Sequence, residues 1–230
     1  MIFRVGFVFS LSMILSLMSV AGKPMRIQPN HVFVPNGFDS NDRTEVLLSG
    51  WLPSPCYLKP QAKVSVKGEK IEISLKSTLK KNDACVTMAY PFIVSAELGQ
   101  LEEGQYEIVV NGKASMPIQI NPASSGSVDD FIYAHVDEVL VDSQRKTVTL
   151  LGSNPSDCVE LDSIKFTSNN QDTIAVLPIM KQVRMSCEKK LVPFMYTVNV
   201  PSLVPEAQNE VLLHVRSLDG SSINKLFKRN

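Results

Sequence analysis

Apolar and polar residues alternate along much of the chain with a period of two. Lys63-Val64-Ser65-Val66-Lys67 alternates strictly, and Lys70-Ile71-Glu72-Ile73-Ser74-Leu75-Lys76 does so for seven residues. That period sends successive side chains to opposite faces, so both stretches are expected to be strands with one buried face. Lys67-Gly68-Glu69-Lys70 between them reads as a tight hairpin turn. Residues 106–110 form a further expected strand, followed by Asn111-Gly112. Asn and Gly tolerate the positive φ that a type I′ turn needs at both central positions. Residues 116–120 return as a last strand, placed at a sheet edge because Pro117 has no N–H to donate. The second half reads alike, with strands at 164–166 and 173–176 around a longer turn at 168–172. Strands at 211–215 and 223–227 flank Asp219-Gly220. No window holds a 3.6-residue pattern over three turns, so helices should be few and short.

The two halves are related. Val46-Leu47-Leu48-Ser49-Gly50-Trp51-Leu52-Pro53-Ser54-Pro55-Cys56 returns 102 residues later as Val148-Thr149-Leu150-Leu151-Gly152-Ser153-Asn154-Pro155-Ser156-Asp157-Cys158. Gly50, Pro53, Ser54, Cys56, Cys85, Pro91, Phe92 and Leu101 all find the same residue at that offset. Eight identities at one offset indicate an internal duplication, with a period suited to a small domain rather than a solenoid unit. The expected organisation is residues 23–120 as a first domain, 121–127 as a small, polar, breaker-rich linker, and 128–230 as a second domain.

The N-terminus changes the compartment. Arg4 precedes an apolar run from Val5 to Val20, and Ser19-Val20-Ala21 offers small residues to a signal peptidase. Residues 1–21 therefore read as a cleaved signal peptide, and a run of sixteen residues, broken by Gly6 and four serines, falls short of the roughly 20 that span a bilayer. No membrane span is expected after cleavage. The four cysteines fit export: each copy carries two, and the duplication favours closure within each copy, Cys56 with Cys85 and Cys158 with Cys187. Zinc is disfavoured because no C-x-x-C pair occurs. The 23 basic and 23 acidic residues balance, which gives no footing for nucleic acid as a partner.

Seven or so short strands per hundred residues with regular turns imply an all-β chain of two tandem antiparallel β-sandwiches. Leu101-Glu102-Glu103-Gly104-Gln105-Tyr106 and the residues to Gly112 resemble the closing strands of immunoglobulin-like and fibronectin-III-like sandwiches of exported bacterial proteins, where a Leu-x-x-Gly-x-Tyr run leads into a late strand. The resemblance implies an immunoglobulin-like fold for each half. Copy 2 departs from it, keeping Leu203 without the Gly-x-Tyr. Trp51 precedes Cys56 instead of lying between paired cysteines, so the disulfide is not expected to be the antibody one.

A search for chemistry finds little. His31, His135 and His214 have no partner at ligand spacing and read as surface or strand-end residues; no metal or cofactor is expected. Asp39-Ser40-Asn41-Asp42 with Glu45 lacks the glycine and distant glutamate of a calcium loop and reads as a polar turn, as does Asp142-Ser143 in copy 2. Lys59, Lys63, Lys67, Lys70, Lys76, Lys80 and Lys81 read as a solvated sheet face that also guards an edge, with an anion-binding face as the alternative. Trp51, the only tryptophan, is replaced by Ser153 in copy 2. It is expected either to plug the end of the first core or to anchor a partner together with Pro53, Pro55 and Tyr57. The resulting expectation is an exported, non-enzymatic binding or structural protein, periplasmic or secreted, engaging a protein or glycan at the cell envelope. Its rivals are a secreted protease inhibitor presenting residues 51–59 and an enzyme with an unrecognised site.

Overall fold

The computed structural model describes residues 23–80, 85–127 and 129–228. The signal-peptide assignment at 1–21 and Lys81 lie outside the described residues. Strands dominate, and the one helical element among the described residues is a short 3-10 turn, Leu218–Gly220. The N-terminal half contributes β1 (Met25–Arg26), β2 (His31–Phe33), β3 (Phe38–Asp39), β4 (Thr44–Leu52), β5 (Gln61–Lys67), β6 (Lys70–Ser77), β7 (Tyr90–Gly99), β8 (Gly104–Val110) and β9 (Lys113–Asn121). The C-terminal half contributes β10 (Ile132–Tyr133), β11 (Val136–Asp142), β12 (Thr147–Ser156), β13 (Val159–Ser168), β14 (Thr173–Gln182), β15 (Lys189–Asn199), β16 (Glu210–Ser217) and β17 (Ser221–Lys228).

Each half is a β-sandwich. In the first, the sheet β2-β4-β7 faces a larger sheet in which β6 pairs with β5 on one edge and with β1 and β8 on the other, followed by β9 and β3. In the second, β11-β12-β15 faces a sheet in which β14 pairs with β13, β10 and β16, followed by β17. The topologies match strand for strand except for β3, which has no counterpart. Most pairs are antiparallel as expected, but β6–β8, β14–β16 and β3–β9 run parallel. The first two arise because the chain crosses to the smaller sheet, as β7 or β15, before it returns as β8 or β16.

The turns form where the sequence places them. Lys67 pairs with Lys70, and Val110 with Lys113 around Asn111 (φ 50°) and Gly112 (φ 87°). Asn111 also does more than turn. Its side-chain amide donates to the Ile27 and Leu75 carbonyls at 2.8 and 3.1 Å and accepts the Leu75 N–H at 3.1 Å. Those contacts fasten β1 beside β8, where a bare turn would leave buried backbone groups unpaired.

Two cores result. One gathers Val46, Leu48, Leu52, Ile71, Ile73, Leu75, Ile108 and Ile120; the other gathers Val139, Val148, Leu150, Ile174, Val176, Val211, Leu213 and Val215. One disulfide staples each, Cys56 to Cys85 and Cys158 to Cys187, with Cα–Cα separations of 6.1 and 5.6 Å. In both copies the serine two residues before the first cysteine turns the chain: Ser54 Oγ accepts the Cys56 N–H at 3.3 Å and Ser156 Oγ the Cys158 N–H at 3.2 Å.

Candidate binding surface

Alternation along β4 sends Val46, Leu48 and Leu52 into the first core and Glu45, Leu47, Ser49 and Trp51 to the outer face of the small sheet. Cross-strand pairing adds Phe33 beside Leu47, Ile93 beside Ser49 and Pro91 beside Trp51 to that outer face. The second sandwich covers the first part of this face. Phe33, Leu47 and Leu212 form a buried cluster against which Leu226 packs. Glu45 accepts hydrogen bonds from Ser95, from Ser222 and, at 2.7 Å, from the Asn224 amide. His31 meets Asp172 at 2.6 Å, and Asn36 and Asn169 tie the loop at 34–37 to the turn at 168–172.

The strongest link is Arg216, 4 % exposed. It holds both Asp42 carboxylate oxygens in a bidentate pair and Asp129 at 2.7 Å. Its guanidinium also lies 5.3 Å from the Phe38 and Tyr133 ring centroids. Its pKa is pushed up, because the Asp42 bond and charge outweigh the burial that opposes it. Burial lowers the pKa of His214, with the neighbouring Glu45 carboxylate pulling the other way. Its Nδ1 bonds the Asn224 side-chain oxygen at 2.9 Å and its Nε2 has no hydrogen-bond partner among the described residues. Burial works against the charge on Glu45, yet its three donors and the neighbouring imidazole keep its pKa below the ordinary value. These placements correct two expectations. His214, expected at the surface or a strand end, is 1 % exposed between the sandwiches. The turn at 39–42 is real, with the Asp39 N–H donating to the Asp42 carboxylate at 2.8 Å, but Asp42 and Glu45 are interface residues as well as turn residues.

The segment at 121–127 is bound in place rather than loose. Asp130 accepts the Ser124 and Ser125 N–H groups and the Ser124 hydroxyl, and Asn41 reaches the Ser125 and Ser127 carbonyls. The Ser124 hydroxyl and these further bonds lower the Asp130 pKa to about 2.

The covered part of the face ends at Ser49. Beyond it Trp51 is 57 % exposed, with Ile93 and Pro91 also exposed beside it. Trp51 therefore does not plug the core; Leu52, 2 % exposed, takes that position. Pro53 and Pro55 are exposed and Tyr57 is half-buried. A shallow depression of about 440 Å³ opens next to Trp51, lined by Pro55, Tyr57, Leu58, Tyr90, Pro91 and Ile93. The structure thus groups Pro55 and Tyr57 with Tyr90 and Ile93, which sequence reasoning missed, while Pro53 stands outside the depression. Residues 90–94 are apolar without alternation, so no pattern in the sequence marked Ile93 as outward-facing.

The segment is firmly held. Tyr57 bridges Leu79, the Leu58 N–H donates to the Thr78 carbonyl, the Lys80 N–H to the Cys56 carbonyl, and the Ser77 hydroxyl to the Leu58 carbonyl. Lys59 and Lys80 sit at the rim of the depression, whereas Lys67 and Lys70 spend their charge on Glu72. His135 lies beside Asp137 on the surface. Among the described residues no group of three or more His, Cys, Asp or Glu side chains could hold a metal, and no helix is long and apolar enough to cross a membrane.

Comparison of the chain with curated proteins and with solved structures finds no match. Residues 46–120, which run from β4 to β9 and include Trp51 and the first disulfide, match the family model of the ORF11 beta-sandwich domain.

Proposed function

We propose that this is an exported, non-enzymatic binding protein of the cell envelope or extracellular space, which holds a partner protein on the surface around Trp51. The observation that carries the reading is the exposed tryptophan on a face that domain packing leaves half covered. An exposed Trp beside Ile93, Pro91, Tyr90 and Leu58 has the composition of a binding hot spot, where tryptophan and tyrosine supply most of the energy. Exposed aliphatic neighbours favour a protein partner over a glycan, whose hydroxyls Leu58 and Ile93 cannot satisfy. Two formed disulfides suit an oxidising compartment. Kinship with immunoglobulin-like sandwiches is supported by the Tyr106 hydroxyl, which donates to the Glu102 carbonyl at 3.1 Å, a bond of the kind made by the tyrosine at the start of a late strand in that fold. The inhibitor alternative gains little from the geometry, since residues 56–58 are paired with 78–80 and do not stand free as a reactive loop.

The test is Trp51→Ala in the full chain. Truncating an exposed side chain changes stability by no more than about 0.5 kcal/mol, so the thermal midpoint should move by less than about 2 °C. Capture of a partner from the envelope fraction, by a photocrosslinker at position 93, should weaken by about 2 kcal/mol, some thirtyfold. Undiminished capture by the variant removes Trp51 from the interface.

A further inference from the structure

The charge beside Trp51 is one-sided. The depression next to it runs on over Lys59 into a second one of about 420 Å³, lined by Lys59, Gln61, Ala62, Lys63 and Val94. The second depression is the seam at the open edge of the first sandwich, where β5 pairs only with β6 and β7 only with β4 among the described residues. One strand, β7, joins the two, since Tyr90 and Ile93 line the first and Val94 the second. From Tyr90 to Val94 the strand spans about 13 Å, the reach of about four residues of extended chain.

No carboxylate among the described residues lines either depression. Lys59 and Lys63 are exposed, and neither has an ion-pair partner among those residues. Lys67 and Lys70, further along the same hairpin, instead hold Glu72. Two uncompensated ammonium groups along an apolar furrow attract a carboxylate and repel a cation. At the 102-residue offset Ser153 and Leu161 stand in place of Trp51 and Lys59. The aromatic anchor and the charge that joins the two depressions therefore belong to copy 1 alone.

We infer that the partner held at Trp51 presents an extended acidic segment, with an apolar side chain against Trp51, Tyr90 and Ile93 and carboxylates on Lys59 and Lys63. This deepens, and rests on, the assignment of Trp51 to a protein contact. The apolar half of the surface separates a polypeptide from other polyanions. Leu58 and Ile93 offer nothing to a sulfated glycan, and a recessed seam at a strand edge fits a single chain rather than a flat lipid surface.

The probe is the peptide acetyl-Phe-Gly-Asp-Glu-Asp-Glu-amide, titrated into the full chain with both disulfides formed. Trp51 is the only tryptophan, so its fluorescence reports occupancy at the site itself. The expected result is a saturable change that weakens as salt is added. The analogue with Asn and Gln in place of Asp and Glu should bind at least about tenfold more weakly, a comparison that leaves the protein unaltered. Lys59→Glu with Lys63→Glu should weaken the acidic peptide by at least about tenfold, whereas Lys67→Glu with Lys70→Glu, an equal change in net charge, should weaken it less than about twofold. No saturation at millimolar peptide, equal binding of the two peptides, or equal losses in the two double variants overturns the inference. So does a heparin oligosaccharide or a phosphatidylserine vesicle that changes the fluorescence in preference to the peptide. Capture at position 93 that weakens with Trp51→Ala but not with the Lys59 and Lys63 changes would keep the partner at Trp51 and remove its acidity alone.

Discussion

Replacing Asp42 by Asn tests whether the two sandwiches are one unit. The substitution keeps the shape of the side chain and removes the charge that Arg216 holds in a bidentate grip. Arg216 then keeps only Asp129, at 2.7 Å. Removing one partner of a buried pair costs about 3–5 kcal/mol, because the remaining charge stays buried without compensation. Asp129 and the two aromatic rings offset part of that loss, so the lower end, about 3 kcal/mol, is expected. At about 2–4 °C per kcal/mol for a chain of this size, the midpoint should fall by about 6–12 °C. Arg216→Met leaves Asp42 and Asp129 facing each other without a cation. It should cost a similar amount at neutral pH and recover partly on acidification, because burial already raises the Asp129 pKa. The double variant removes the pair together, so its loss should fall short of the sum of the singles by at least about 1.5 kcal/mol, well outside the roughly 0.3–0.5 kcal/mol within which independent sites add. Calorimetry of the four proteins reads all of this. Additive losses, a single-variant cost below about 1 kcal/mol, or two well-separated transitions in the unaltered chain would show that the sandwiches do not pack together through this pair in solution.

Acidification from pH 7 to 5.5 should lower the midpoint on balance. His31, raised by its bond to Asp172, contributes most below about pH 6.5 and loses that contribution as pH rises through its folded value; buried His214, depressed, contributes above about 6.5 and loses it as pH falls. The fully buried group should dominate the half-exposed one, so His214→Asn should flatten the profile and His31→Asn should deepen the acid loss; a midpoint that rises on acidification refutes this. Residues 23–120 and 128–230 each keep a complete core and disulfide, so each should fold alone. Each should nevertheless melt below the whole chain, because separation exposes Phe33 and Leu47 on one piece and Leu212 and His214 on the other; equal midpoints by calorimetry would contradict it. Gly152→Ala should be severe, since the added Cβ would lie 2.0 Å from the His135 carbonyl oxygen, whereas Gly50→Ala meets only side-chain atoms of Phe92 and Asn30 at 2.9–3.0 Å and should cost less; the two urea midpoints decide.

Those glycines show what was legible in the sequence and why. The duplication marked Gly50 and Gly152, Phe92 and Phe194 as shared, and the structure sets each glycine directly across the strands from its phenylalanine. A Cβ there would strike the ring in both copies, so the shared pair is a packing unit, as the shared Ser54 and Ser156 are turn units. Alternation located the strands for the same reason: burial of one face imposes period two. The interface broke that rule. Val46-Leu47-Leu48, residues 174–180 and Val211-Leu212-Leu213 are apolar without alternating because both of their faces are buried, a pattern expected of doubly covered strands. The duplication itself concealed this surface. Its identities report what the copies share, and the packing is unlike in the two: Leu47 and Glu45 correspond to Thr149 and Thr147, and Thr149 bonds Thr197 on an exposed face. The same sheet face is thus a domain contact in the first copy and solvent-facing in the second. Trp51 stands in the first copy just where that contact ends.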